Sequence, residues 1–256
     1  MTKIIFIGAG NLATNLATAM QQKGFEIVQI YSHTVASAEK LAATLNCSFT
    51  NVISEIRTDA DLYIFSVKDA ALSSVLEEMQ PNNGLWVHTA GSIPMDIFRP
   101  FTPRYGVFYP LQTFSKARLL DFSDIPFFIE AHNEADCRLL TEHAEKLSAK
   151  VYAADSEQRK YLHLAAVFAC NFTNHMYAIA AQLTEQHGVP FDALHPLIAE
   201  TASKIRNLAP SEAQTGPAVR YDRNVMNKHL DLLHDESLQQ IYKDLSDSIF
   251  KFSNNK

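Results

Sequence analysis

The sequence lacks several features, and each absence excludes a class of protein. It contains no run of about 18 apolar residues, so no membrane-spanning helix is expected. Lysine and arginine total 22 against 28 aspartate and glutamate, and no basic stripe appears, which argues against a nucleic-acid partner. The three cysteines, Cys47, Cys137 and Cys170, show no metal-binding spacing. We therefore expect neither a metal site nor a structural disulfide.

Composition and the N-terminal pattern favour a soluble enzyme of the cytoplasm. The hydrophobic fraction is 47% and the formal net charge is −6, which suits a globular chain with a sizeable core. A length of 256 residues suggests one large domain or two modest ones. The N-terminus enters a predicted strand at once, which leaves no room for a signal peptide.

A glycine motif follows that first strand, within the stretch KIIFIGAGNLATNLA at residues 3–17. Gly8, Gly10 and Ala13 have the spacing G-x-G-x-x-A between a short apolar run and a predicted helix, which is typical of a dinucleotide site. The free N–H groups of the helix start would face the pyrophosphate. The predicted cofactor-binding residues here are Gly8, Gly10, Asn11, Leu12 and Ala13. The alternative is a glycine turn in a doubly wound fold that binds no nucleotide.

The tip of the second predicted strand indicates which dinucleotide binds. An NAD site usually carries a carboxylate there, which bonds the ribose 2′-hydroxyl. This chain instead has Ser32, His33 and Thr34, whose hydroxyls and imidazole suit a 2′-phosphate that a carboxylate would repel. We therefore predict NADP(H) as the cofactor, bound by these three residues. They are ordinary turn residues in the alternative interpretation, since no arginine accompanies them.

Strands and helices alternate in the first part of the chain and helices alone follow. The predicted strands are residues 3–8, 26–31, 62–67, 85–89, 105–109, 126–131 and 150–153, with helices at 11–23, 34–46, 70–79 and 134–147. Four helices are predicted after that, at 156–187, 191–208, 223–234 and 236–252. This order predicts an α/β Rossmann-like doubly wound parallel sheet over residues 1–154, followed by an all-α C-terminal domain over residues 155–256.

Small and polar residues stand where the middle strands end, which is where an open parallel sheet binds its ligand. The predicted cofactor contacts at these ends are Ser66, Val67, Lys68 and Thr89. Asp69 is better interpreted as a helix N-cap than as a catalytic group. His88 is either a buried structural histidine or a catalyst, and the sequence favours the former.

The long helix after residue 155 carries an unusual polar stripe. At 100° per residue, Lys160, His163, Asn171 and Asn174 fall on one narrow face, while alanine and large apolar residues occupy the other. Asparagine is a poor helix former, so two in mid-helix require a reason. We predict that this face lines a substrate pocket, with His163 or Lys160 catalytic and both asparagines binding substrate. The alternative is hydrogen bonding between helices of a bundle or a dimer.

A non-helical interruption, APSEAQTGPAVRYD, separates the later helices. Pro217 is expected in the first turn of a helix, with free N–H groups near Thr215 that could hold a carboxylate. The predicted substrate-binding residues in this segment are Gln214, Thr215 and Arg220. An ordinary helix cap with a surface arginine is the alternative.

These motifs together resemble a known bacterial family. GAGNLA, FSVKD, VHTAGS, GVFYPLQTF, LHLAAVFACNFTNH and AQTGPAVRYD are similar to a two-domain family that joins a Rossmann-like NADP-binding domain to a helical C-terminal domain of unknown function. The wider superfamily includes the 6-phosphogluconate and β-hydroxyacid dehydrogenases, the ketopantoate and pyrroline-5-carboxylate reductases, and deazaflavin-dependent NADP reductases. The resemblance implies hydride transfer with NADP and a helical domain that forms a homodimer and completes the active site.

Two departures limit the transfer of residue roles from that superfamily. Where dehydrogenases of this kind have K-x-x-x-N, Lys160 is followed at that spacing by Leu164, so that His163 becomes the alternative proton donor. The TGPA of residues 215–218 is similar to the SGPA of pyrroline-5-carboxylate reductases but occurs later in the chain.

The predicted function is NADP-dependent hydride transfer to a small 2-oxo or imino acid, and the favoured substrate is a ketopantoate-like acid. His163 or Lys160 would supply the proton. Two alternatives stay open. One is a deazaflavin-dependent NADP reductase, and the other is a regulatory protein that senses NADP without catalysis.

Overall fold

The computed structural model describes residues 1–254, which contain one sheet of eight strands. The strands are β1 (Lys3–Ile7), β2 (Glu26–Tyr31), β3 (Ser48–Thr50), β4 (Leu62–Phe65), β5 (Leu85–His88), β6 (Tyr105–Pro110), β7 (Phe127–Ala131) and β8 (Val151–Ala153). Their order in the sheet is β3-β2-β1-β4-β5-β6-β7-β8. The order reverses between β1 and β4, and this reversal is the point where doubly wound sheets bind nucleotides. The Rossmann-like fold predicted from the sequence is confirmed.

The sheet departs from the prediction at two strands. β7 runs antiparallel to β6, whereas every other neighbouring pair is parallel. The connection between them, residues 111–126, contains no helix, so the chain makes no crossover and returns in the opposite direction. β3 was not predicted, because three residues are too few to show a hydrophobic period.

Helices cover both faces of the sheet. They are α1 (Asn11–Gln22), α2 (Val35–Leu45), α3 (Asp69–Glu78) and α4 (Glu134–Glu145). Alternate residues of β1 point to opposite faces, so Ile4 and Phe6 pack in the core beneath α1, α2 and α4, while Ile5 and Ile7 pack beneath α3. Both faces of β1 are therefore buried, which explains its unbroken apolar sequence.

Helices follow residue 155, and no strand occurs from there to residue 254. They are α5 (Ser156–Ala166), α6 (Thr173–Gln186), α7 (His195–Lys204), α8 (Pro210–Ala213), α9 (Arg223–Asp231) and α10 (Glu236–Asn254). A π-helical segment, Val167–Phe172, lies between α5 and α6, so the prediction of one regular α-helix over 156–187 was wrong at its centre. None of the helices within residues 1–254 has the length and apolar character that a bilayer crossing requires.

The chain divides into two compact units, the first comprising Met1–Asn174 and the second beginning at His175. The strands end at Ala153, near the predicted boundary of residue 154, but α5 and the π-helical segment belong to the first compact unit. A boundary between functional domains near residue 154 stays a prediction. Few of the residues described from His175 to Asn254 are buried, and those are Ala218, Met226 and Ser246.

Candidate functional site

The turn between β1 and α1 has the shape that the glycine motif predicts. Gly8 has a φ of +119°, and a Cβ there would collide with the backbone carbonyl of Ser66. Gly10 faces open space and is the N-cap of α1, whose first turn carries no capping side chain and no acidic residue. The unpaired N–H groups of Asn11, Leu12 and Ala13 therefore suit a pyrophosphate, and the chain fits the cofactor at this point.

Two hydroxyl groups join the ends of β4 and β5 beside this turn. The Oγ of Ser66 lies 3.1 Å from the Oγ1 of Thr89, and the Ser66 N–H donates to the carbonyl of Ile7 at 2.7 Å. Three neighbouring strands, β1, β4 and β5, thus end in one polar edge. Val67 is half-buried and Lys68 is exposed on the same edge.

Asp69 does not have the N-cap role that the sequence predicted for it. Lys68 itself is the N-cap of α3, and Asp69 is the first residue of that helix. The Asp69 carboxylate accepts a hydrogen bond from the Ser92 hydroxyl and so links α3 to the loop after β5. Asp69 is therefore a structural contact of the loop rather than a cap.

The tip of β2 is open and contains no carboxylate. Ser32 is half-buried, while His33 and Thr34 are exposed. The Thr34 N–H donates to the Ser32 Oγ at 3.3 Å, and Thr34 is the N-cap of α2, which has no acidic residue in its first turn. This surface is compatible with an anionic 2′-phosphate, because a second helix N-terminus faces it without a competing charge.

His88 is a structural histidine. It is 1% exposed at the end of β5, and its imidazole stacks on Phe98 with ring centroids 5.6 Å apart. Its Nδ1 accepts the N–H of Ala90 at 3.2 Å. Burial, together with the nearby charge of Arg159, lowers the pKa of His88 to about 3. The ring is therefore neutral near pH 7 and holds the loop after β5 instead of supplying a proton.

Tyr109 and His163 form the hydrogen-bonded pair that is best placed for proton transfer. Tyr109 lies on β6 and is 7% exposed, and its hydroxyl is 3.1 Å from Nδ1 of His163 on α5. Burial raises the pKa of Tyr109, and the charge of Arg159 opposes that rise. A Cβ at Gly91 would lie 2.6 Å from the His163 ring, so only glycine lets the loop after β5 approach the imidazole.

Arg159 anchors α5 to the sheet, a role that the sequence interpretation missed. Its side chain is completely buried and pairs with Glu130 of β7. The guanidinium also donates to the carbonyls of Ala90 and Ile93 in the loop after β5. Arg159 is one helical turn before His163, and this i, i+4 spacing could have indicated from the sequence that Arg159 lies on the same face of the helix as His163. The two residues share a face of α5, so the anchor also sets the position of the imidazole.

A cavity of about 400 Å³ opens beside the Tyr109–His163 pair. Both members of the pair line it, and so does Asn171 of the π-helical segment. Lys160 and Asn174 do not line it, and both are exposed. The predicted stripe assumed an α-helical period, but the π-helical segment holds more residues in each turn and changes the phase between His163 and Asn174.

The predicted carboxylate ligands Gln214, Thr215 and Arg220 lie in the second unit, and all three are exposed. Pro217 opens a four-residue 3₁₀ turn, Pro217–Arg220, rather than a longer helix. The Gln214 side-chain amide donates to the Thr215 carbonyl at 3.0 Å. Their binding role stays a prediction.

Known proteins match the chain in sequence and in fold. Residues 3–88 match the family described as NADP oxidoreductase, coenzyme F420-dependent, and residues 125–249 match the domain of unknown function DUF2520. A Bacteroides fragilis structure, BF3122, described as a candidate NADP oxidoreductase, is 53% identical over 98% of both chains, with a TM-score of 0.92. None of the curated proteins matches.

More distant structures share the fold. A Streptomyces aurantiacus imine reductase is 16% identical over 98% of both chains, with a TM-score of 0.69. A Plasmodium falciparum pyrroline carboxylate reductase, solved with NADP bound, is 10% identical over 99% of this chain and 98% of that one, with a TM-score of 0.62.

The chain belongs to the two-domain family in which an NADP-binding domain of the F420-dependent oxidoreductase type precedes a DUF2520 domain. It is an NADP-dependent oxidoreductase whose substrate is unassigned. The predictions of the family, of an enzyme and of NADP as cofactor are confirmed.

Proposed function

We propose that this enzyme reduces the C=O or C=N carbon of a small 2-oxo or imino acid, with a ketopantoate-like acid as the first substrate to test. The observation that carries the proposal is the Tyr109–His163 pair, which lies beside the ends of the strands that form the cofactor edge. Bound NADPH supplies the hydride. The remaining requirement is a proton for the developing alkoxide or amine.

We assign that proton to His163. The Tyr109 hydroxyl lies within hydrogen-bond distance of Nδ1, and when it donates there, Nε2 carries the proton of the neutral ring. The half-buried imidazole lines the cavity, whereas Lys160 is exposed and lies outside it. Tyr109 is thus a positioning residue that fixes the tautomer, and Lys160 is the second choice as donor. We also propose that Asn171, which lines the cavity, orients the substrate. The same role for Asn174 rests on the sequence alone, because Asn174 lies outside the lining.

Steady-state kinetics with a panel of 2-oxo acids and cyclic imines test this assignment. His163→Ala should lose about 10²–10⁴-fold in kcat while binding NADPH about as the wild type does, because the predicted pyrophosphate contacts are backbone N–H groups of the glycine turn and not the imidazole. Lys160→Ala is the matched control on the same helix and should keep most of the turnover. Full activity in His163→Ala together with an inactive Lys160→Ala would transfer the role to the lysine.

A deazaflavin substrate is the second candidate, favoured by the family match over residues 3–88. The same NADPH-oxidation assay with coenzyme F420 separates the two proposals. Reduction of F420 with no turnover of any 2-oxo acid or imine would replace our first choice.

We also propose a homodimer formed through the helical unit. That unit exposes large apolar side chains, which a single copy leaves facing water: Leu197, Ile205, Leu208, Leu232 and Phe252. Light scattering at micromolar concentration should give twice the mass of one chain. A monomer at all concentrations would refute the proposal. We further propose a cytoplasmic location, which the three free cysteines support, since none of them forms a disulfide within the described residues.

A further inference from the structure

The cavity beside Tyr109 and His163 has an uncharged wall. Its lining within the described chain contains no aspartate, glutamate, lysine or arginine. Six apolar side chains contributed by α5, by the π-helical segment and by the end of β6 make up half of the lining: Leu111, Leu162, Ala165, Ala166, Val167 and Ala169. The Tyr109 hydroxyl and Nδ1 of His163 are within hydrogen-bond distance of each other. Gln112, Thr113, Cys170 and Asn171 complete the lining. The cavity therefore combines apolar side chains, uncharged polar side chains and the Tyr109–His163 pair.

Neither Arg159 nor Lys160, the arginine and lysine of α5, is placed to pair with a ligand in this cavity. Arg159 is completely buried, and its guanidinium is already satisfied by Glu130 and by the carbonyls of Ala90 and Ile93. Lys160 is exposed and does not line the cavity. An anionic group placed against this lining would lose part of its hydration without gaining an ion pair from the wall, which is unfavourable.

The size of the cavity suits a side chain larger than a methyl group. Its volume of about 400 Å³ lies in the range of small-molecule sites, which is roughly 300–1,000 Å³. The alanines of its wall leave this space, because their side chains end at Cβ. An aliphatic substituent would replace water against these apolar surfaces.

We propose that this cavity binds an uncharged, branched aliphatic substituent on the reacting carbon, so that dicarboxylic substrates are excluded. The reacting group itself rests on the proposed function, whereas the selection for an uncharged substituent rests on the cavity alone. The substrate class is then a 2-oxo or imino acid with an aliphatic side chain.

Two ligands of nearly equal shape test the selection directly. In 4-methyl-2-oxopentanoate the side chain ends in an isopropyl group, and in oxaloacetate it ends in a carboxylate. Calorimetry on the chain saturated with NADP⁺ measures binding without turnover. We expect the branched acid to bind at least about tenfold more tightly than oxaloacetate. Equal affinity, tighter binding of oxaloacetate, or no binding of either would overturn the proposal.

Variants of the wall locate the binding. Ala166→Leu fills the cavity and should weaken the branched acid at least about tenfold, while Ala178→Leu, on an exposed face of α6 outside the lining, should not. Gln112→Lys adds a cation at the lining and should strengthen oxaloacetate binding. Folding of each variant is checked by thermal unfolding. If Ala166→Leu does not fold, Gln112→Lys decides alone, and an unchanged oxaloacetate affinity in it contradicts the proposal.

NADPH oxidation separates this proposal from the proposed function. If the wild type binds the branched acid without reducing it, and Ala166→Leu abolishes this binding, the cavity proposal stands and the reductase assignment is refuted. If the wild type and Ala166→Leu reduce the branched acid equally well, the reductase assignment stands and the cavity proposal is refuted.

Discussion

Replacing Arg159 by methionine removes a guanidinium that ties α5 to the sheet. The substitution leaves the Glu130 carboxylate, whose side chain is 15% exposed, without its cation, although the Ser156 hydroxyl still donates to it at 2.8 Å. It also leaves the carbonyls of Ala90 and Ile93 without the donors that they have now. Methionine fills much of the same volume, so lost polar contacts rather than a cavity dominate the effect.

The expected cost is about 3–5 kcal/mol in the free energy of unfolding of the first unit, the range for removal of one partner of a buried ion pair. Urea unfolding followed by the fluorescence of Trp86 measures it, because Trp86 is the chain's single tryptophan and is 1% exposed inside that unit. With a slope near 2.5 kcal/mol per molar urea, the midpoint should fall by roughly 1–2 M.

Two further variants distinguish the anchor from a general loss of packing. Arg159→Lys keeps the charge but cannot reach the Ala90 and Ile93 carbonyls and Glu130 together, so an intermediate loss is expected. Adding Glu130→Gln to Arg159→Met should cost less than the two single losses summed, because the unpaired charge is then absent. A loss below about 1 kcal/mol in Arg159→Met, or strict additivity in the double variant, would refute the reasoning.

The same substitution has a consequence for the site. Burial raises the pKa of Tyr109 and the charge of Arg159 opposes that rise, so Arg159→Met should move the pKa of Tyr109 further upward. Ultraviolet difference titration of the tyrosines, compared with a Tyr109→Phe variant that lacks this group, measures the change.

Three other changes have definite expected outcomes. Gly8→Ala should weaken NADPH binding at least about 100-fold in calorimetry, because its Cβ collides with the Ser66 carbonyl and its φ of +119° is strained for alanine; wild-type affinity would contradict the assigned turn. Ser32→Asp should weaken NADPH binding at least about tenfold and leave NADH nearly unaffected, and equal losses would remove the tip of β2 from the phosphate contacts. His88 has a folded pKa of about 3, below its ordinary 6.5, so the unfolded state binds a proton first as the pH falls. Its stabilising contribution is therefore complete above pH 6.5 and is lost towards pH 3, at up to about 1.4 kcal/mol per pH unit. Urea midpoints measured between pH 6.5 and 5 should fall less steeply in His88→Gln than in the wild type, and identical slopes would contradict a neutral buried ring.

The sequence alone determined the features that depend on neighbouring residues. The apolar run of residues 4–7, the glycines at 8 and 10, and the helix start that follows are contiguous, so one strand, one turn and one phosphate-binding helix terminus could be predicted together. The missing carboxylate after β2 is equally local, because it depends only on the residues at 32–34. Seven of the eight strands were predicted for the same reason, since each carries its own apolar period.

Tertiary structure decided what depends on residues distant in the chain. Tyr109 and His163 are 54 positions apart, and Arg159 meets Glu130 and Ala90 only after β5, β7 and α5 have assembled. Helical periodicity could not reveal the π-helical segment, because its i→i+5 bonding changes the phase of every later residue. The direction of β7 follows from a connection without a helix. The sequence thus predicted the glycine turn and its role in cofactor binding, while packing placed His163 rather than Lys160 beside the cavity, because a side chain's partners are set by where its element docks.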